Sequence, residues 1–183
     1  MYHLGLDIGS SSVKVALVEA ATGKSLASLH EPPNEMEILS LQNDWAEQDP
    51  KIWWKYCCTA IKRVLSETAI EAEKIIGIGI SYQMHGLVIV DVDGQPLRNS
   101  IIWCDSRAVE IGDKAFSDLG EGECANRLLN SPGNFTASKL KWVKNNEPEI
   151  YSKIHKYEVN DPHQQLMLDK INNPNLDYEG LSN

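Results

Sequence analysis

The chain has 183 residues, 42% hydrophobic, 23% charged and 7% aromatic, which at roughly 150 residues per domain suggests one domain, or one with a short appendage. The composition is that of an ordinary soluble fold and excludes a disordered chain, a coiled coil or a disulfide-knotted peptide. The formal charge of −9, from 17 Lys and Arg against 26 Asp and Glu, argues against a nucleic-acid or anionic-membrane binder, which needs a basic face for phosphates.

The first thirty residues predict a tight β-meander. Leu4, Leu6 and Ile8 alternate with His3, Gly5 and Asp7, and Val13, Val15 and Leu17 alternate with Lys14, Ala16 and Val18, two period-2 strands around the turn Gly9-Ser10-Ser11-Ser12. Thr22-Gly23 turns into a third strand from about 24 to 30. Residues 31 to 49 hold six acids and no Lys or Arg, with Pro32-Pro33 near their start, and predict an exposed loop with no core element. Asp49-Pro50 is the start signal of a helix, an N-cap followed by a proline at the first helical position. Trp53, Cys57, Ala60, Ile61, Val64 and Leu65 then share one helical face.

Ile75 to Ser81 predicts a strand in which Gly77 and Gly79 share a face that a helix or another backbone can approach closely. Residues 87 to 92 and 96 to 98 predict a hairpin about Asp93-Gly94, and 101 to 103 a further short strand. Helices are predicted over 106–118, 121–129, 136–146 and 148–154, then a strand over 155–159 and a turn at 172–175. Strands interleaved with helices in this way specify a mixed sheet flanked by helices, an α/β fold. Cys57, Cys58, Cys104 and Cys124 contain no C-x-x-C pair and are expected as reduced thiols of a cytoplasmic protein. Neither a leader nor an apolar run long enough to span a bilayer is expected.

Two familiar nucleotide signatures fail on spacing. Gly77-Ile78-Gly79 has Tyr82 where the dinucleotide fingerprint needs its third glycine, and Gly23-Lys24-Ser25 has Val18 where a P-loop needs its first. The segment Asp7-Ile8-Gly9-Ser10-Ser11-Ser12-Val13-Lys14 is a credible phosphate hairpin: turn N–H groups and hydroxyls can surround anionic oxygens, Gly9 permits close backbone approach, and Asp7 can hold a hydrated Mg²⁺. A plain β-turn with a capping aspartate accounts for the octapeptide equally well.

A second segment, Gln83-Met84-His85-Gly86, follows a strand end, where ligands of α/β sheets commonly bind. A structural histidine is the competing reading for His85. In the third, Trp103-Cys104-Asp105-Ser106-Arg107, an indole beside a carboxylate suits a polyol. Its bland alternative is a buried Trp and an Asp105–Arg107 ion pair.

These segments occur in order with Trp45-Ala-Glu47-Gln48-Asp49-Pro50, with Pro132-Gly133-Asn134-Phe135-Thr136-Ala137-x-Lys139-Leu140-x-Trp142, and with Glu147-Pro148-Glu149-Ile150. Together they resemble the N-terminal lobe of the FGGY carbohydrate kinases over about residues 1 to 157, and the Gln-Met-His-Gly form resembles the xylulokinase branch. Residues 158–183 diverge. The resemblance implies an actin-like, ribonuclease-H-like fold and transfer of the ATP γ-phosphoryl, with Mg²⁺, to a ketose such as D-xylulose. It implies that Asp7 is the acid near Mg²⁺ and the transferred phosphate, that Gly9, Ser10, Ser11 and Ser12 form the phosphate-facing turn, and that Gln83, Met84, His85, Trp103 and Asp105 line the sugar pocket.

In that family the catalytic base lies in a Gly-Gly-x-Asp-Asn segment, and the adenosine pocket lies in a second lobe. No such segment occurs in these 183 residues. The expectation is therefore a lobe that turns over poorly alone, with ketose and ATP as ligands and a homodimer mate or a complementing C-terminal lobe as partner. A truncated paralogue serving as a sugar-binding or interaction module is the alternative. An actin-like or chaperone-like ATPase lobe fits less well, since it needs no polyol pocket.

Overall fold

The computed structural model describes residues 1–157. They form two compact units, Met1–Leu39 with Gln48–Met84, and Ser40–Glu47 with the chain from His85 onward. In the first, β1 (Tyr2–Ile8), β2 (Val13–Glu19) and β3 (Ser25–Glu31) form the predicted meander, and β5 (Ile75–Tyr82) adds to β1 in parallel, giving the order β3-β2-β1-β5. The cross-strand pairs Leu4↔Leu17, Leu6↔Val15 and Ile8↔Val13 put one apolar set on one face. There Cys57, Ala60 and Val64 of α1 (Pro50–Thr68) close the core.

The helix starts where its signals place it: the Asp49 carboxylate accepts from the Lys51 N–H at 2.9 Å. It stops at Ala69, whose left-handed backbone (φ 54°) turns its N–H onto the Leu65 and Ser66 carbonyls. This helix supplies the crossover that a parallel β1–β5 pair requires. The close approach expected at the paired glycines is realised at one of them: a Cβ on Gly77 would stand 2.9 Å from His3 Nδ1, whereas nothing lies within 4 Å of one on Gly79.

Residues 31–49 are not the fully exposed loop expected. Met36, Ala46, Glu47 and Gln48 are buried, and Glu47–Gln48 form the short β4. A run of acids implies solvation only while the acids lack partners. Here Glu31 pairs with Arg63 at 2.9 Å, Glu47 with Arg98 and Arg107, and Asp49 caps α1.

In the second unit β6 (Ile89–Val90) pairs antiparallel with β8 (Lys156–Tyr157), within the predicted 155–159 strand. The 87–98 hairpin is present around Gly94 (φ 72°), held by Leu97 N–H to Ile89 O at 3.0 Å. Its core is Leu87, Ile89, Ile101, Ala115, Phe135, Ala137, Leu140 and Val143. The helix α4 (Thr136–Asn146) keeps its predicted bounds, while the next, α5 (Pro148–Tyr151), is shorter than expected.

Three other expectations shift. The strand at 101–103 is β7 (Ser100–Ile101), which ends before Trp103. Helix α2 (Val109–Leu119) starts three residues late, because the Asp105 carboxylate accepts the Arg107 N–H at 3.0 Å in an Asx-type turn that competes with helix. Residues 121–129 are a short α3 (Glu121–Glu123) running into a five-residue π turn that ends at Leu129 with φ 59°. The turn expected at 172–175 lies outside the described residues.

Gly112 of α2 has a tertiary reason. A Cβ there would stand 2.4 Å from Gly133 Cα, so the two backbones touch. The four cysteines carry no disulfide, and burial raises the Cys57 and Cys124 thiols above the usual range. No helix among the described residues is long and apolar enough to cross a membrane.

Candidate functional site

The serine turn between β1 and β2 is held by its carbonyls. Gly9 N–H donates to Ser12 O at 3.1 Å, Met36 N–H to Ser11 O at 2.8 Å, and Gln48 Nε2 to Ser10 O at 2.7 Å. Gln48 is itself fixed, donating also to Glu37 O at 3.1 Å and accepting from Trp53 Nε1 at 3.1 Å. In a planar trans peptide the N–H points opposite to the carbonyl of the same unit. The Ser11 and Ser12 N–H groups are thus directed away from the Gln48 and Met36 donors. A Cβ on Gly9 would press to 3.1 Å of Ser12 O, which accounts for glycine at that position.

Asp7 lies opposite Lys14 across the ladder, and their side chains pair at 3.2 Å while both remain largely exposed. Among the described residues no group of three or more His, Cys, Asp or Glu side chains could cage a metal. One exposed carboxylate beside a donor-rich turn fits the demand of Mg²⁺, which keeps several waters and takes its other ligands from phosphate. Gln83 N–H donates to Ile8 O at 3.0 Å, extending β5 alongside β1 as far as Gln83, and Met84 is 66% exposed.

The remaining site residues belong to the second unit. His85 has a left-handed backbone (φ 61°), a conformation that costs a non-glycine residue about 1–3 kcal/mol and persists only where surroundings impose it. Its ring stacks on Phe135, with centroids 4.8 Å apart and planes at 16°. Its carbonyl accepts from Lys139 Nζ at 2.8 Å, and the next carbonyl, that of Gly86, accepts from Thr136 Oγ1 at 3.2 Å. Lys139 is fully buried and donates also to Asn134 O at 3.0 Å. Burial lowers its ammonium pKa to about 8; Asp105 and then Cys104 oppose that shift, and Arg107 adds slightly to it.

Trp103 is 50% exposed. Asp105 is fully buried, and its oxygens accept from Ala46 N–H at 2.6 Å, Arg107 N–H at 3.0 Å, Arg107 Nε at 2.9 and 3.0 Å and Arg107 Nη2 at 2.7 Å. This geometry corrects the expectation that Asp105 lines a sugar pocket. Its lone pairs are taken, and it acts by tying the 103–107 turn to residues 44–46, which Ser106 N–H to Asp44 O (2.9 Å) and Ile102 N–H to Ala46 O (3.1 Å) also join.

Arg107 lies over Trp45 (3.8 Å to the ring centre) and Trp142 (4.9 Å), and bonds Glu47 at 2.7 Å. Arg98 bridges Glu47 to Glu147. The motifs contain Gln48 and Lys139 with no role assigned, and Arg107 only as the ion-pair partner of Asp105 in the alternative reading, a pair the structure forms at 2.7 Å. Their signal, a polar residue whose partner stands 38 to 60 positions away in the chain, has no local period.

An antiparallel meander extended by a parallel strand and crossed by one helix, with a donor-bearing turn at the β1 end, defines an α/β lobe of the actin-like ATPase fold. The chain belongs to the FGGY family of carbohydrate kinases: the model of that family's N-terminal domain matches residues 2–169. It is 36% identical over 156 residues to the xylulose kinase of Bacillus subtilis (strain 168), covering 83% of this chain and 30% of that protein. To the L-xylulose/3-keto-L-gulonate kinase of Escherichia coli (strain K12) it is 36% identical over 155 residues, 84% of this chain and 30% of the relative.

Among solved structures, a "xyloylose kinase" from Brucella ovis superimposes with a TM-score of 0.77 at 32% identity, covering 91% of this chain and 34% of the other. A gluconate kinase from Lactobacillus acidophilus does so at 0.74 and 28%, covering 86% and 31%. The chain thus spans about 30% of the length of the curated relatives it matches.

Proposed function

We propose that this chain is the N-terminal lobe of an ATP-dependent sugar kinase that phosphorylates a ketose, D-xylulose foremost, and that by itself it turns over little or nothing. The observation that carries the reading is the pinned serine turn beside Asp7, within a chain whose family and most similar relatives are sugar kinases. Phosphoryl transfer asks a protein mainly for positioning and for stabilisation of charge on the phosphoryl oxygens.

In this reading Gly9 to Ser12 present backbone and hydroxyl donors to phosphate, and Asp7 holds the water shell of Mg²⁺. Bound Mg²⁺ supplies neutralisation of phosphate charge. Gln83, Met84, His85 and Trp103 contact the ketose, with apolar C–H groups of the sugar against the indole face. Asp105 holds the Trp103 turn rather than the sugar. The protein is assigned to the cytoplasm, with the ketose, ATP and a complementing C-terminal lobe as partners.

The prediction of little turnover rests on the absent Gly-Gly-x-Asp-Asn segment, because the proton of the sugar hydroxyl then has no base from this chain. A coupled assay of D-xylulose-dependent ADP release with the purified chain tests it. Background-level release is the expected outcome, and robust turnover overturns the proposal of an incomplete site. Saturable ketose binding lost in Trp103→Ala, with no effect of ATP, would favour the sugar-binding module instead.

A further inference from the structure

The His85-Gly86 turn is held from the side chains of one downstream segment. Within residues 134–139, Phe135 stacks on the His85 ring, Thr136 Oγ1 donates to the Gly86 carbonyl, and Lys139 Nζ donates to the His85 carbonyl. Lys139 is fully buried and its other bond, to Asn134 O, ties the start of its own helix to the same point. An ammonium group so placed has no access to solvent, and among the described residues its acceptors are the backbone carbonyls of His85 and Asn134. A buried cation is costly and is retained where its donors fix something the surrounding apolar packing does not. What it fixes here is the peptide that follows the one left-handed, ring-bearing residue of the Gln-Met-His-Gly segment.

We infer that Lys139 is a positioning residue for His85, holding its carbonyl so that the imidazole stays stacked on Phe135 and presented for ligand contact. The inference rests on the sugar-kinase reading only for what His85 does once it is placed. The hydroxyl of Thr136 and the ring of Phe135 restrain the turn from two further directions, so removal of Nζ displaces His85 without freeing the whole 85–86 segment. The charged and titratable groups that act on Lys139 are Asp105 and Cys104, which favour its charge, and Arg107, which opposes it.

The test reads His85 directly in the full chain without any sugar. Proton–carbon NMR of the imidazole, assigned by comparison with His85→Gln, reports the ring-current shift from Phe135. Lys139→Met should move the His85 ring signals toward those of a free histidine, while Lys141→Met, on the same helix, leaves them in place. Unchanged His85 signals in a folded Lys139→Met protein overturn the inference.

Should Lys139→Met fail to fold, Lys139→Gln decides, because it keeps an N–H donor but is too short to hold both the His85 and Asn134 carbonyls. The His85 ring signals should again move toward those of a free histidine, and unchanged signals in a folded Lys139→Gln protein overturn the inference. Subsequent addition of D-xylulose probes the functional reading separately: absence of any shift at His85 counts against the sugar site and leaves the positioning result standing.

Discussion

Arg107 offers the sharpest test of what holds the second unit together. Its side chain is 1% exposed, packed against Trp45 and Trp142, whose rings meet edge to face, and bonded to both Asp105 and Glu47. Replacement by Met keeps a flexible apolar body against the two indoles, so most packing survives. The cation–π contribution, roughly 0.5–2 kcal/mol, is lost. The larger effect is electrostatic, because removing one partner of a buried pair leaves a desolvated charge and typically costs about 3–5 kcal/mol.

Two features of the structure place the loss at the lower end. Asp105 retains two backbone N–H donors, from Ala46 and from residue 107 itself, and Glu47 retains Arg98. We therefore expect Arg107→Met to lower unfolding stability by about 3 kcal/mol, a shift near 1.5 M in urea midpoint at a slope of about 2 kcal/mol/M. Urea unfolding followed by tryptophan fluorescence suits the case, since Trp45 and Trp142 flank the substituted group. Adding Asp105→Leu should recover part of the loss, with the double substitution costing at least about 2 kcal/mol less than the sum of the singles. A loss under about 1 kcal/mol, or single effects that add within about 0.5 kcal/mol, would refute the view that this ion pair is the strut of the 103–107 turn.

Three further outcomes are expected. Gly112→Ala gains about 1 kcal/mol of helix propensity yet forces a Cβ to 2.4 Å from Gly133 Cα; overpacking costs of about 1–3 kcal/mol should win, so thermal unfolding falls, whereas Gly122→Ala, with nothing within 4 Å, shows no such penalty. Asp49→Ala removes the bond to Lys51 N–H and should cost about 1 kcal/mol of stability in urea unfolding. For Lys139 the folded pKa of about 8 lies below the ordinary 10.5, so the unfolded chain binds more protons between those values. Stability relative to Lys139→Met should then rise with pH across that window, by up to about 3 kcal/mol at 1.36 kcal/mol per unit, and a flat difference between urea midpoints at pH 7.5 and pH 10.5 would count against the buried ammonium.

Strands β1 to β3, β5, helix α1 with its Asp49 cap, and α4 were legible in the chain because each is set by a local period or a local start signal. Period-2 alternation needs only a neighbouring strand, and the Asp49-Pro50 cap needs only the next two residues. The Gly9–Ser12 turn between β1 and β2 was legible too, from its run of small turn-forming residues. The partnerships were not. Six acids in residues 31–49 read as a solvated loop, although Glu31, Glu47 and Asp49 are spoken for by Arg63, by Arg98 and Arg107, and by α1.

In the sequence Asp105 could serve a polyol or pair with Arg107, and folding decides for the pair and adds the Ala46 N–H. Lys139, in the sequence a lysine in an ordinary amphipathic helix, is in the structure a buried donor to a carbonyl 54 positions back. The sequence by itself therefore determined the α/β class, the family and the residue types available for chemistry, since those depend on periodicity and ordered motifs. The tertiary structure alone decided which of those residues remain available to a ligand, because hydrogen-bond capacity is finite and its allocation depends on residues that are distant in the chain and adjacent in space.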